Sequence, residues 1–353
     1  MRCAAFLLSL FLGGCATTGP RTIAVDHFDY SAAIASSANE QMLLNLVRLR
    51  YREAPVFLDV NTVIAQYQVD TRATLGAEIG FSGSAGPPGD SIVIPEVGVG
   101  WLERPTITYA PRTGPKFIRS LLTPLPPAAV FSLVQGDWPV DDVIWGVVKS
   151  INGVGPRSPA TGKWNPDYGR MLAALARVQR ARAFGVGTEG DTGTPTLRFR
   201  KSGLDEETSA AIATLRELWG LDPNIREYRL VPRVVPQGPD EIAVLTSSML
   251  NLMRDISMMI DVPPEHVAQG MTELTLKLPP EAPYEGRPPI RLQLGRDKPV
   301  SAFVAVRKDG WWYSIATTDR NSKQVLMLLN ILYQLAEGGA SWGGPIVTVP
   351  AGG

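Results

Sequence analysis

Few side chains in this sequence offer chemistry on their own. There are two histidines, His27 and His266, and two cysteines, Cys3 and Cys15. A first-row metal site needs paired imidazoles or thiolates, and neither pattern occurs after residue 15, so only carboxylates remain as ligands. An acyl-transfer triad can be written only around His266, behind Pro263-Pro264-Glu265, and no Gly-x-Ser-x-Gly elbow nominates its serine. Two carboxylates could serve glycoside hydrolysis, but spacing does not select them from 34 acids. The pairs Asp141-Asp142 and Glu206-Glu207 fall where helices are expected to begin, and acids there suit the helix dipole. No phosphate-cradling loop and no Gly-x-Gly-x-x-Gly after a strand is present. The expectation is no catalytic residue, no metal and no cofactor. Met249, Met253, Met258 and Met259 could hold Cu(I) or line an adaptable groove, yet on an apolar helix they read as core. Trp311, Trp312 and Tyr313 alternate across a strand; an exposed tryptophan could stack on a glycan, and burial against the last helix is the plainer expectation.

The residue type with the most definite chemistry is Cys15. Met1-Arg2 and the apolar run Ala4 to Leu12 form an export signal too short to span a bilayer. It ends Leu12-Gly13-Gly14-Cys15, which resembles the lipobox of bacterial lipoproteins cleaved by signal peptidase II. The resemblance implies a signal peptide over 1–14, lipidation of Cys15 with palmitate-type chains, and a mature chain without another thiol. Structural disulfides and thiolate sites are then excluded. Ala16 follows the cysteine where an Asp would, by the same resemblance, retain the protein at the inner membrane. The implied location is the outer membrane, lipid-anchored, with the body periplasmic.

The elements that follow are read from periodicity. A lipidated tether covers 15–35. Ser37 and Glu40 form a capping box for a helix to Arg52, with Met42, Leu43, Leu46, Val47 and Leu49 as its stripe and Arg48, Arg50 and Arg52 on its solvated face. Past Pro111 come helices over 116–122, 127–135 and after Trp138-Pro139, the last carrying Val143 to Ile151, and another over 165–184. Residues 185–195, rich in glycine and threonine, read as a linker. Beyond it are expected strands near 196–200, 226–231, 272–278, 290–294, 301–306 and 311–316, and helices near 206–219, 240–260 and 320–336. Lys308-Asp309-Gly310 marks a hairpin turn. The expected fold class is α+β. Its N-terminal domain, 36–184, carries helices and one long amphipathic antiparallel hairpin (63–109); its C-terminal mixed α+β domain is 196–337, with a flexible tail over 338–353.

The hairpin is the most informative segment. Odd positions from Val63 to Phe81 are apolar or small apart from Thr71, and even positions from Gln66 are polar or glycine. Ser82 to Asp90 reads as the turn, and Ile92 to Tyr109 repeats the alternation. The candidate membrane or oligomer face is Val63, Tyr67, Val69, Leu75, Ile79, Phe81, Val97, Val99, Trp101, Ile107 and Tyr109. Two interpretations compete: a hairpin lying apolar face down on the body, or two strands donated to an oligomeric outer-membrane barrel with an apolar outside and polar lumen. Glu103 and Pro105 on the apolar parity weigh against the second.

Equal numbers of basic and acidic residues, 34 each, and the lack of any Lys/Arg run argue against a polyanion-binding surface, so nucleic acid is not an expected partner. Charged residues are only 19% and hydrophobic residues 44%, which excludes a disordered chain. The runs 39–60, 103–111 and 301–337 are similar to a group of Gram-negative lipoproteins without assigned activity, which adds only an envelope location. The expected function is a non-enzymatic structural or assembly component of a cell-envelope complex, oligomerising through the hairpin as a pore or export channel. Its partners would be the membrane, through the lipid, and copies of itself or envelope proteins. The alternatives are a monomeric periplasmic binding lipoprotein for a peptide or glycan, and, third, a hydrolase using His266.

Overall fold

The structure, a computed structural model, describes residues 20–64, 67–77, 93–103, 106–158, 161–189 and 194–337. Cys15, Ile79, Phe81, the loop 82–90 and the tail 338–353 lie outside the described residues. The fold is α+β. Two compact units are present: the hairpin, residues 57–112, and a body made from the chain before and after it.

The body begins with α1 (Pro20–Arg50), which is longer than its sequence signature suggests. Residues 20–35 were expected as tether but are helical: Pro20 suits the first turn, no Gly or Pro interrupts the run to Arg50, and alanines favour propagation. The Ser37–Glu40 capping box therefore sits inside the helix. Met42, Leu43, Leu46 and Val47 are buried as the stripe requires. Arg50 is not on a solvated face; it is buried at the helix end. Asn45, also buried, clamps the backbone of Val56 through both amide atoms at 2.7 and 2.8 Å.

After the hairpin come α2 (Pro115–Leu122), α3 (Pro127–Gln135) and α4 (Val140–Val147), with Asp141 and Asp142 in the first turn of α4. The helix expected to carry on to Ile151 stops at Val147, and β5 (Val148–Ile151) follows directly. Next are α5 (Pro166–Arg180), β6 (Phe184–Glu189), β7 (Thr194–Phe199), α6 (Glu206–Trp219), β8 (Glu227–Val231) and β9 (Glu241–Thr246). These strands form one sheet in the order β5-β9-β8-β7-β6, antiparallel except between β8 and β9.

This sheet corrects two expectations. Residues 185–195 are not a linker, because β6 and β7 pair from Phe184↔Phe199 to Glu189↔Thr194. The glycines that suggested flexibility, Gly185 and Gly187, lie in the edge strand β6, where glycine is tolerated. Nor do 36–184 and 196–337 form separate domains, since β5 from the first half closes the sheet of the second.

The helix expected over 240–260 is also divided. Glu241 to Thr246 is β9, and Ser248 then caps α7 (Met249–Ser257), accepting from the Asn251 N–H at 3.3 Å. A five-residue helix, α8 (Pro264–Ala268), precedes an irregular stretch at 272–279 that joins no sheet among the described residues, although a strand was expected there. The last unit is a three-stranded antiparallel sheet, β10 (Gln293–Gly295), β12 (Trp311–Ile315) and β11 (Val304–Lys308), followed by α9 (Arg320–Glu337). Asp309 and Gly310 take positive φ at the β11–β12 turn, as the Asp-Gly signal implies. Helix α1 packs on β11, α7 and α9, so it shares one apolar core with the last elements of the body.

Candidate functional site

The hairpin consists of β1 (Leu58–Ile64), β2 (Tyr67–Ala77), β3 (Val93–Glu103) and β4 (Thr106–Pro111). A bulge between Val60 and Thr62 shifts the β1/β4 register by one residue. From Thr62 onwards the register is in step: Val63 faces Ile107, Tyr67 faces Glu103, Val69 faces Trp101, and Ala77 faces Val93. Odd positions therefore oppose odd positions, and directly opposed residues share one face of a two-stranded ribbon. Nine of the eleven candidate positions, Val63, Tyr67, Val69, Leu75, Val97, Val99, Trp101, Ile107 and Tyr109, fall within these strands. The alternate parity carries Gln68, Asp70, Arg72, Thr74, Gly98 and Gly100, along with Ile94 and Leu102. Glu103 is in register with Tyr67 and stays an acid on the apolar parity. Among the described residues β2 and β3 each have a single strand neighbour, so the outer edge of each is unpaired.

The body contains a buried phenol–imidazole chain. His266, on α8, is 5% exposed, and its Nδ1 lies 2.6 Å from the Tyr51 hydroxyl, which lies 2.6 Å from the Tyr313 hydroxyl. The Tyr51 and His266 rings meet edge to face at 5.6 Å. Burial pushes both phenols above the usual tyrosine range. A triad would put a carboxylate on that Nδ1; here a phenol occupies it. Beside it, Glu265 accepts from the Trp311 indole N–H at 3.1 Å and from Arg296 at 2.5 Å. The Arg296 guanidinium covers one face of the Trp311 ring at 4.2 Å, the face that the alternative reading would have offered to a glycan. Tyr313 is fully buried. His27 lies on the first part of α1, where side chains are outside the described residues.

A cavity of about 260 Å³ opens between α4, α7 and α9. Its floor is apolar, made by residues such as Leu252, Ile256, Leu328 and Leu332, with the rings of Trp145, Trp164 and Tyr284 on its walls. Met258 and Met259 line it, whereas Met249 and Met253 are buried core, so the methionine run divides between packing and cavity wall. Asp142 is buried on the wall and accepts from the Gln324 amide; burial pushes its carboxyl above the usual range. Lys149, Arg157 and Asp255 are polar groups at the exposed side, with Lys149 and Asp255 paired at 2.5 Å. Tyr284 meets Trp145 edge to face at 5.9 Å, and its hydroxyl is buried without a hydrogen-bond partner. Tyr284 and Glu285 hold φ of 61° and 55°, left-handed values that cost roughly 1–3 kcal/mol each for residues with a Cβ. Gly286 continues the turn at φ 73°, and a Cβ there would lie 2.8 Å from the Pro279 carbonyl oxygen. Sequence reasoning missed this site: Trp145, Trp164 and Tyr284 are dispersed along the chain, and no short motif links them.

Among the described residues no group of three or more His, Cys, Asp or Glu is arranged to hold a metal, and no helix is long and apolar enough to cross a membrane. Comparison of the chain with protein-family models, curated proteins and solved structures finds no match.

Proposed function

We propose that this chain is an outer-membrane lipoprotein, anchored through Cys15, that acts as a non-enzymatic assembly component of the cell envelope and oligomerises through its hairpin. The observation that carries this is the ribbon β2–β3. Each strand has 11 residues, the length a membrane strand needs, about 9–11. The in-step register gathers Val69, Trp101, Val97 and Leu75 on one parity and the polar residues on the other. Long unpaired edges template pairing with another strand, and proteins that do not use them normally shorten, charge or cover them. Edge-to-edge addition of identical ribbons would satisfy both edges and, on closure, would give a barrel with apolar outside and polar lumen. The Leu12-Gly13-Gly14-Cys15 motif supports the anchor.

The test has two parts. In Cys15→Ser, fatty-acid labelling should disappear and the protein should leave the membrane fraction, and unchanged labelling and retention would remove the anchor. Extracted wild type should run at several times the 38.2 kDa chain mass, and a single-chain particle would end the oligomer proposal. In planar bilayers, Thr74→Arg, on the polar parity, should shift channel selectivity towards anions. Leu75→Arg, on the apolar parity, should cost about 2–4 kcal/mol per subunit and block assembly. No conductance from folded, oligomeric protein would leave a scaffold and exclude a pore.

A further inference from the structure

We propose that the cavity between α4, α7 and α9 is a binding site for a compact apolar monocarboxylate. This proposal stands apart from the hairpin and can fail or survive independently of it.

Three features identify the ligand. The first is size and lining: about 260 Å³ of mostly apolar space exceeds the ~150 Å³ that suffices to hold benzene, so a fused ring or a short acyl chain fits and a full lipid does not. The second is charge. The lining carries two cations, Lys149 and Arg157, and two acids, Asp142 and Asp255; Lys149 is paired with Asp255 and Asp142 accepts from Gln324, so among the described residues Arg157 is the cation on the exposed side with no acid paired to it. Arg157 spends one donor on the Gly162 carbonyl at 3.1 Å and, as a guanidinium, has others to offer. The third is the strained turn that sets the Tyr284 ring on the wall. The two left-handed residues Tyr284 and Glu285, locked by Gly286, hold that ring against Trp145. Strained backbone of this kind concentrates at ligand sites.

One more residue keeps the space open. Gly146 lies on the cavity wall in α4, where alanine or leucine would favour the helix. A Cβ placed there meets nothing closer than Leu252 Cδ1, at 3.9 Å, so the absence of a side chain preserves volume and avoids no clash. Asp142, the acid on the same wall, accepts from Gln324, and the upward displacement of its carboxyl lessens its opposition to an anion.

The experiment is calorimetric titration of the full lipidated chain in nanodiscs with 1-naphthoate, octanoate and the cation 1-naphthylmethylammonium. Saturable binding of at least one carboxylate at one site per chain is expected, with the ammonium weaker. Gly146→Leu should fold with Tm unchanged or raised by about 2–4 °C and lose carboxylate binding. Arg157→Gln, on the exposed side, should keep its Tm yet weaken the carboxylate about tenfold, the share of one hydrogen bond between charged groups, and should not weaken the ammonium. Absence of saturable binding, or binding that survives Gly146→Leu, would overturn the site. Equal affinity for the ammonium, or no effect of Arg157→Gln, would overturn the assignment of a carboxylate.

Discussion

Arg50 is the residue whose replacement tests the packing of the body most directly. It ends α1, is 1% exposed, and donates from Nε to the Ile260 carbonyl at 3.2 Å, from Nη1 to Thr272 Oγ1 at 2.6 Å and from Nη2 to the Glu273 carbonyl at 2.6 Å. The Thr272 hydroxyl in turn donates to the Arg50 carbonyl at 2.7 Å, completing one of the acceptors a helix terminus leaves open. Hydrogen bonds from a charged donor contribute roughly 1.5–3 kcal/mol each, so three amount to roughly 5–9 kcal/mol. Desolvation of the guanidinium, which holds its pKa below the ordinary value, opposes this by several kcal/mol. The released acceptors are also not all orphaned: Ile260 O still accepts from Thr275 Oγ1 at 3.3 Å, and the partners on Thr272 and Glu273 are only partly buried. The net cost of Arg50→Met, which keeps the apolar stem, is therefore about 2–4 kcal/mol, and Arg50→Ala adds about 1–2 kcal/mol for the stem. Urea unfolding followed by tryptophan fluorescence measures the loss, and amide exchange at Leu276, which donates to Met258 O, reports whether the 272–279 stretch loosens. Arg50→Met as stable as wild type, with Leu276 equally protected, would show that desolvation cancels the bonds and refute the reasoning.

Two further outcomes depend on pH. The Asp142 carboxyl is raised, so the folded state prefers its neutral form: its contribution is fully present below the unfolded pKa, near 3.9, and is lost as pH rises through the folded value. Asp142→Asn should accordingly stabilise the protein at pH 7 and lose that advantage near pH 3.5; destabilisation at pH 7, measured by urea midpoint, contradicts this. The buried phenols of Tyr51, Tyr168 and Tyr313 are raised above the unfolded value near 10, so their contribution holds below pH ~10 and is lost above it. In an absorbance titration at 295 nm these phenols should ionise only as circular dichroism collapses, and full ionisation of all nine tyrosines in a folded chain would count against the buried cluster.

Much of the fold follows from local pattern, and the departures share one cause. Period-two alternation placed the hairpin, and from Thr62 onwards the observed register sets odd positions opposite odd ones. Helix α6 begins beyond Asp205 and ends at Gly220 in the left-handed conformation, as capping chemistry dictates. Where local signals were neutral, distant partners decided. Val148 and Ile151 continue the helically spaced apolar stripe of α4, yet Val148–Ile151 becomes strand because β9 lies alongside. Glu241–Thr246 does the same between β5 and β8. Gly185–Glu189 looks flexible by composition and is an edge strand because β7 supplies a ladder. The opposite happened at 272–279: it alternates like a strand but joins no sheet among the described residues, and the guanidinium of Arg50 and the Met258 carbonyl take its backbone groups singly.

The same principle explains why one candidate site was legible and the other was not. A ribbon face is written every second residue, so its apolar parity survives in one dimension even without the structure. The cavity is written across α4, the 156–164 loop, α7, Tyr284 and α9, and its two informative features have no sequence signature. A helical glycine such as Gly146 reads as mere tolerance until the open space before it is seen. A tyrosine such as Tyr284 reads as a turn residue until its hydroxyl proves to be buried and unanswered. Unfavourable choices of this kind, a glycine in a helix and left-handed residues beside an orphaned donor, go against what packing alone would favour. They therefore point to a requirement outside stability, and a ligand filling the space that Gly146 leaves open would meet it.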